Sequence, residues 1–467
     1  MLLARKIFFY LFLLIYLLVC PLLILYSFGY IFSPLHKGIS QAGLIYLSTV
    51  PSGAHVYLGK SHYKYRTPTS IAELLPGAYK VNIRLKKYRP WSHKVFVKAG
   101  ESTAFENILL IPERVRPRQL SKEASFSNLI FLPGKDLFLV RKDSRVEDFY
   151  SFNREREKLD PLVIESSRHH GFSAASIFKS KEATLIAYGG SLRERKYLLM
   201  DSVGEDKKIK DITAVFLDKP PSVMESVENE NILFALYQNH LDRLDITSMS
   251  LYPKYIEGVK GFGLSGKSLY ILRKDNVISR MTLDKKQITV LFEGRASSKN
   301  LFNKSSYYKI QVLGNGALLF QGNADDLIVI LPHKDIAKYQ AAGFEFFDRK
   351  QQLMYWTKNT IGIAEFSSEE EQELSSPNRI RSRPIYKRGK YISQCFWAYN
   401  GTHIVFRDED KVFLMALLPD GRNYVEYLVS VRSGSDIFYS EKNDHLYYLD
   451  RRGNLMQIGI VSREGNP

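Results

Sequence analysis

The sequence predicts an all-β protein carried behind a single membrane-spanning helix, and three observations predict it. One uncharged apolar run, Ile7 to Phe32, stands alone near the N-terminus. Short alternating strands at about ten-residue spacing fill residues 44–112. From 126 to 461 a strand–turn–strand unit recurs roughly every 35 to 50 residues, the period of a propeller blade.

The expected organisation is therefore a cytoplasmic tail (1–6), a transmembrane helix (7–32), a linker (33–43), a small β-sandwich (44–112), a second linker (113–125) and a β-propeller (126–461). The apolar run covers about 26 positions, enough to cross the roughly 30 Å hydrocarbon core with some tilt. Phe8, Phe9 and Tyr10 at one end and Tyr26 and Tyr30 at the other suit the two interfaces. Arg5 and Lys6 precede the run, and only His36 and Lys37 follow closely, so the N-terminus is expected inside. A cleaved signal peptide has a shorter apolar core and a small-residue cleavage site, and this run has neither. Val19 is too bulky to precede an acylated Cys20, and Pro21 follows it. A signal anchor in the cytoplasmic membrane is the expectation, with the bulk of the chain extracytoplasmic, in a periplasm or at the cell surface.

Composition narrows the class. In 467 residues, 45% hydrophobic content with 29 Tyr and 28 Phe supports two to three domains with sizeable cores. Cys20 lies in the apolar run, leaving Cys395 alone in the exported part, which must be held by packing and not by an internal disulfide. The formal charge is +17; taking away Arg5 and Lys6 leaves +15 on the exported part. Such an excess favours anionic partners. Outside the membrane these are envelope polymers or lipid headgroups and not nucleic acid.

Residues 44–112 carry a family resemblance. STVPSGAHVYLGK (48–60), TPTSIAELLPGAYKVNIRLKKY (67–88), Trp91 and VFVKAGES (95–102) resemble a PEGA domain. The resemblance implies an envelope-associated binding or spacer module without catalysis. Lys87 departs from it, standing where the family commonly has Gly, so either the turn is looser or Lys87 takes a positive φ. Tyr57, Tyr79, Tyr88 and Trp91 are expected to fill the sandwich core.

Beyond the proline-bounded linker, eight instances of the repeat can be counted, from GKDLFLVRKD (134–143) to DHLYYLDRRGNLMQIGI (444–460). If the first and last share a blade, the ring has seven blades, with six or eight as alternatives. Closure removes the aggregation-prone edges that an open sheet of this length would expose. FWAYNGTHIVF (396–406) is similar to the TolB-type repeat in its Asn400-Gly401 turn, with Ala398-Tyr399 in place of Ser-Pro.

Several motifs invite a chemical reading. GFGLSGKS (261–268) satisfies the P-loop pattern, yet a hairpin pattern follows it where a nucleotide site needs a helix, so no nucleotide is expected. His169-His170 has no further ligand at zinc spacing. No Ser/His/Asp set can be assembled, so no catalytic, metal or cofactor-binding residue is assigned and no cofactor is expected. The acidic run Glu369–Glu371 precedes Arg379, Arg381, Arg383, Lys387, Arg388 and Lys390, which reads as an inter-strand insertion with a basic, anion- or partner-binding stripe. The expected function is a non-catalytic, membrane-tethered scaffold contacting anionic envelope polymers or envelope proteins. Its rival is a polysaccharide lyase or hydrolase with its site in the propeller funnel.

Overall fold

The N-terminal helix, α1 (Leu2–Ser27), has a mean hydropathy of 2.8 over Phe8–Ser27, and none of that span's described side chains is buried. It is long and apolar enough to cross a membrane, at about 39 Å. Pro21 lies inside it, a residue that spanning helices tolerate. The helix ends earlier than the apolar run. Gly29, at φ +76°, turns the chain, and Tyr30–Ser33 then pairs antiparallel with Gly38–Gln41. Tyr30, Ile31 and Phe32, expected in the helix, thus sit in a hairpin.

This is a computed structural model, which describes residues 2–27, 29–33, 38–121, 125–131, 136–143, 146–162, 175–179, 183–188, 196–201, 209–216, 221–227, 230–293, 301–366 and 380–460. His36, Lys37, His169, His170, Glu369–Glu371 and Arg379 lie outside the described residues.

The module is a sandwich of two sheets. One has three strands, Thr69–Leu74, Gly43–Val50 and Ser102–Leu109 in that spatial order, the last pair parallel. The other has four, ordered Ser61–Arg66, His55–Leu58, Gly77–Arg84 and Trp91–Val97, all antiparallel. Alternation is strict where it matters: Ile45 and Leu47 from one sheet meet Val56, Val81, Ile83 and Trp91 from the other, all buried. Tyr79 and Tyr88 pack at the margin of this core, whereas Tyr57 stays half-buried beneath Arg84. Lys87 takes the positive φ, 73°, and its carbonyl accepts the amide of Glu113 at 3.0 Å.

Among the described residues the repeats form eight four-stranded antiparallel units, two of them joined edge to edge by a parallel pairing. We number them as blade 1 (126–162), blade 2 (175–211), blade 3 (223–257), blade 4 (259–292), blade 5 (308–340), blade 6 (343–386), blade 7 (392–430) and blade 8 (438–459 with 118–119). The count is eight and not seven, because the first and last repeats do not share a blade. The last is completed by Arg118–Gln119, which pairs antiparallel with Gln457 and Met456. That strand is two residues long and lies inside the segment expected to be a linker, too short to carry any pattern.

First strands of neighbouring blades touch, as Val223–Ser226 does Val259–Ser265 and Gly343–Phe347 does Ile392–Ala398, which places first strands at the axis. Facing sheets bury shared apolar clusters from blade 2 round to blade 1: Leu199 with Leu233, Phe234 with Phe262, Leu272 with Phe320, Leu319 with Leu353, Met354 with Phe406, Val405 with Leu446, and Leu449 with Leu139. Polar side chains add a second tie at the inner edges. An inner strand leaves amides without a ladder partner, and a buried one is costly. Glu225 accepts the Leu264 amide (2.9 Å), Glu345 that of Trp397 (2.8 Å), Gln394 that of Ile437 (2.9 Å), and Ser435 that of Leu129 (3.2 Å).

Blades 4 and 5 come closest. Their inner strands pair in parallel, Gly261 with Tyr308 and Phe262 with Lys309. A Cβ on Gly263 would lie 1.8 Å from the Ile310 carbonyl oxygen, and one on Gly261 2.7 Å from that of Tyr308. The glycines of GFGLSGKS therefore serve backbone approach. The motif itself is a hairpin, Val259–Ser265 turning at Gly266-Lys267 into Ser268–Arg273, with Lys267 exposed 3.8 Å from Glu230. Gly263→Ala is expected to destabilise the ring by about 3 kcal/mol, and Lys267→Ala by less than about 0.5 kcal/mol. Chemical denaturation of the purified chain checks both; equal effects would remove this role for the glycines.

Candidate interaction site at the junction of module and ring

The sandwich is seated on blade 7. Its contact surface comes from the corner 85–91, the strand Trp91–Val97 and the strand Ser102–Leu109 running on to Ile111. Blade 7 offers its third strand Lys411–Ala416, the turn 417–423 and the outer strand Tyr424–Ser430. Leu418 and Tyr424 of the blade join the module's core, with the Trp91 and Tyr424 rings 6.1 Å apart. Ile111 of the module joins the core between blades 7 and 8. The apolar joint is therefore continuous from one domain into the other.

One ion pair and one histidine–carboxylate contact flank it. Arg89 Nη1 donates to Glu426 Oε2 at 3.0 Å and to the Tyr427 carbonyl at 2.8 Å, while the Tyr424 hydroxyl donates to Glu426 Oε1 at 2.7 Å. His93 Nε2 meets Asp420 Oδ2 at 2.8 Å, with side chains only 9% and 15% exposed. Removing one partner of a pair this buried strands the other, so these contacts resist separation more than surface pairs do. Arg422 lies over the Phe96 ring at 4.2 Å, adding a third contact across the joint.

Behind these contacts a cleft of about 220 Å³ remains, lined by Phe105, Leu110, His403, Leu414, Leu418 and Tyr424 among others. His403 is 4% exposed, and burial pulls its imidazole down to about 3, so it is neutral. Thr402 Oγ1 lies 2.9 Å from its Nδ1. A mostly apolar cleft edged by Arg89, Glu426 and a neutral imidazole can take an apolar group with one polar end.

The predicted basic stripe takes a different form. Arg381 and Arg383 lie on the outer strand of blade 6, Ile380–Tyr386, two positions apart and both exposed, so this part is strand and not inserted loop. Lys387, Arg388 and Lys390 occupy the connection to blade 7. Asp408 holds that turn by accepting the amides of Lys390 (2.9 Å) and Tyr391 (2.6 Å), and Lys390 Nζ stands 3.8 Å from Glu409. The stripe thus divides between a strand edge and a braced turn. Among the described residues, no group of three His, Cys, Asp or Glu side chains stands close enough to hold a metal.

At the axis, two carboxylates stand on inner strands. Glu225 faces Lys309 at 3.2 Å, and burial pushes its carboxyl up against that attraction. Glu345 has no such cation and is pushed up to about 7 by burial, opposed by the Trp397 amide. Nothing in sequence spacing marks Arg89, His93, Asp420 and Glu426 as a set. His93 and Asp420 lie 327 positions apart, and a histidine one residue from a buried Trp was the only local hint.

This geometry defines the class, a small β-sandwich seated on a propeller behind an apolar helix, and one comparison names the sandwich. Residues 42–109 match the PEGA domain. No curated protein matches the chain. Among solved structures, the chain is similar to the beta-propeller domain of Cps50 (Swd1) from Myceliophteria thermophila, at 13% identity and a TM-score of 0.42 over 74% of this chain and 100% of that one. It is also similar to BamB from Moraxella catarrhalis, at 10% identity and 0.43 over 74% and 100%. PorZ, a surface component of the type-IX secretion system of Porphyromonas gingivalis, gives 13% and 0.38 over 71% and 42%. The eight sheets and their closure, and not these likenesses, carry the propeller assignment.

Two predictions follow from the joint and the axis. Asp420→Ala with Glu426→Ala is expected to split unfolding into separate module and ring transitions and to speed proteolysis at 113–117; a single unchanged transition would mean the joint is not energetically coupled. Glu345 has a folded-state value above its ordinary one, so its contribution is present below about pH 4.5 and lost as pH rises through about 7. Glu345→Gln, which keeps the acceptor for Trp397, should flatten the fall in melting temperature between these pH values, as thermal scans would show.

Proposed function

We propose that the chain is a membrane-tethered, non-catalytic scaffold that works on the outer side of the cytoplasmic membrane, holding a PEGA module and an eight-bladed ring as one unit. The observation that carries this reading is the joint at blade 7. A shared apolar core with a part-buried ion pair and a part-buried histidine–carboxylate contact joins the two modules as one body, which is what display needs and a flexible linker would defeat. The helix lies at the other end of the module, where Tyr26 donates to Glu73 at 3.4 Å and the Ala42 amide donates to the Gly29 carbonyl at 2.7 Å. The partners are envelope proteins, through the blade connections, and anionic envelope polymers, through the basic surface.

Orientation and binding are tested separately. Alkaline phosphatase fused after residue 467 is expected to be active, and a fluorescent protein that folds only in the cytosol to be dark. The full chain in detergent is expected to pellet with purified sacculi at low salt and to stay soluble at high salt. Pelleting indifferent to salt, or none, removes the polymer half of the proposal.

The second reading, a lyase or hydrolase at the axis, is favoured by Glu345 alone. Its carboxyl titrates in the range useful to a general acid and lines a polar hollow with Asp348 and Gln311. Turnover of envelope polysaccharide that disappears in Glu345→Gln would establish this reading in place of the first.

A further inference from the structure

One surface of the module carries charge of a single sign. The four-stranded sheet sends Val56, Val81, Ile83, Trp91 and Val95 into the core. Its opposite face presents Arg66, Lys80, Arg84 and Lys94, together with His55, His62, Tyr57 and Phe96. No Asp or Glu occurs in any of its four strands.

The register makes the bias sharper than composition does. Lys80 stands directly opposite Lys94, and His55 stands between Arg66 and Arg84. Like charges directly opposite each other destabilise a sheet by several tenths of a kcal/mol. The usual remedy is a neighbouring acid. Among the described residues none of these four cations has an ion-pair partner. Aromatic rings carry two of them instead: Arg84 lies over Tyr57 at 5.3 Å and Lys94 over Phe96 at 5.4 Å, and Arg422 reaches Phe96 from blade 7. A ring supports a cation from one side and leaves its N–H donors pointing outward, unspent. Of the acids at the joint, Asp420 meets His93 and Glu426 meets Arg89 and Tyr424.

The direction of the strands separates two anionic partners. Gly77 and Val97 pair at the end near the helix, where the Gly100 amide donates to the Ala42 carbonyl; Ile83 and Trp91 pair at the end near the ring. The strands thus run from helix to ring, and the cationic face stands alongside that line instead of facing the helix end. A bilayer around the helix would lie across the strands. A polymer passing beside the module would lie along them, and Lys80 to Arg84 alone spans about 13 Å.

We propose that this face binds an extended, negatively charged polymer, with Lys80, Arg84 and Lys94 as its anion contacts and Tyr57 and Phe96 as the platform beneath them. The assignment deepens the polymer half of the reading above and rests on it. Arg381 and Arg383 on blade 6 are then bystanders.

The test uses the full chain in neutral-lipid nanodiscs, titrated with fluorescent polyphosphate and with polygalacturonate at about 50 mM and about 300 mM salt. Wild type is expected to bind at least one, the choice between the two telling phosphate from carboxylate recognition. Lys80→Ser/Arg84→Ser/Lys94→Ser should weaken that binding roughly 30-fold and flatten its salt dependence, with a melting temperature unchanged or raised because like charges have been removed. Lys80→Arg/Lys94→Arg should retain binding, and Arg381→Ser/Arg383→Ser should stay within about twofold of wild type. Full binding by the triple variant would overturn this assignment while leaving the polymer reading intact. Binding of neither polymer would overturn both, and binding only to anionic vesicles would assign the face to the membrane and overturn the proposal.

Discussion

The architecture depends on how the ring is closed. Blade 8 receives its outer strand, Arg118–Gln119, from the chain just after the module, so the last blade and the segment that follows the module are bound to each other. The connection 113–117 spans at most about 18 Å. The module, whose last packed residue is Ile111, is therefore confined to the rim beside blade 8 before any contact is chosen. Blade 7 is the neighbour within reach. Arg89 and Glu426, far apart in the chain, become adjacent because closure has already brought their domains together. A ring closed by its own last strand would have left the module on a free tether.

The same problem of unpaired edges governs the axis. Inner strands present amides that no ladder satisfies, and Glu225, Glu345, Gln394 and Ser435 each answer one in the following blade. Carboxylates at a propeller axis invite a catalytic reading, yet here each holds a backbone amide. Lys309 answers part of the charge on Glu225, whose carboxyl burial still pushes up, while Glu345 has no such cation and burial pushes it up to about 7. Polar groups used this way tie blades at specific heights, something apolar packing between flat sheets does poorly.

Charge is distributed unevenly between the two domains. The ring mixes signs, and its basic residues are often answered, as Lys267 is by Glu230 and Lys390 by Glu409. The four strands of the module's outer sheet carry no acid, and Arg84 and Lys94 rest on rings. A domain that needed charge only for solubility would not set Lys80 opposite Lys94.

Much of the organisation was legible in the sequence, because each signal is local. Uncharged length marks a membrane segment, alternation marks the sandwich strands, and turn residues at a steady period mark the blades. A Lys in place of Gly at residue 87 left open a looser turn or a positive φ, and Lys87 adopts the positive φ. What stayed hidden depends on which segments meet. Gly29 and a downstream strand ended α1 five residues before the apolar run did. Blade number turned on a two-residue strand that has no periodicity to detect. Gly261 and Gly263 resemble a phosphate loop until Tyr308 and Ile310 are seen pressing against them. Arg381 and Arg383 read as loop because the strand that pairs with them lies across an acidic stretch. The sequence by itself determined which segments are helix, sandwich and blade, since burial periodicity is written residue by residue. Only the tertiary structure decided their number, their closure and the joint, since those depend on contacts between residues hundreds of positions apart.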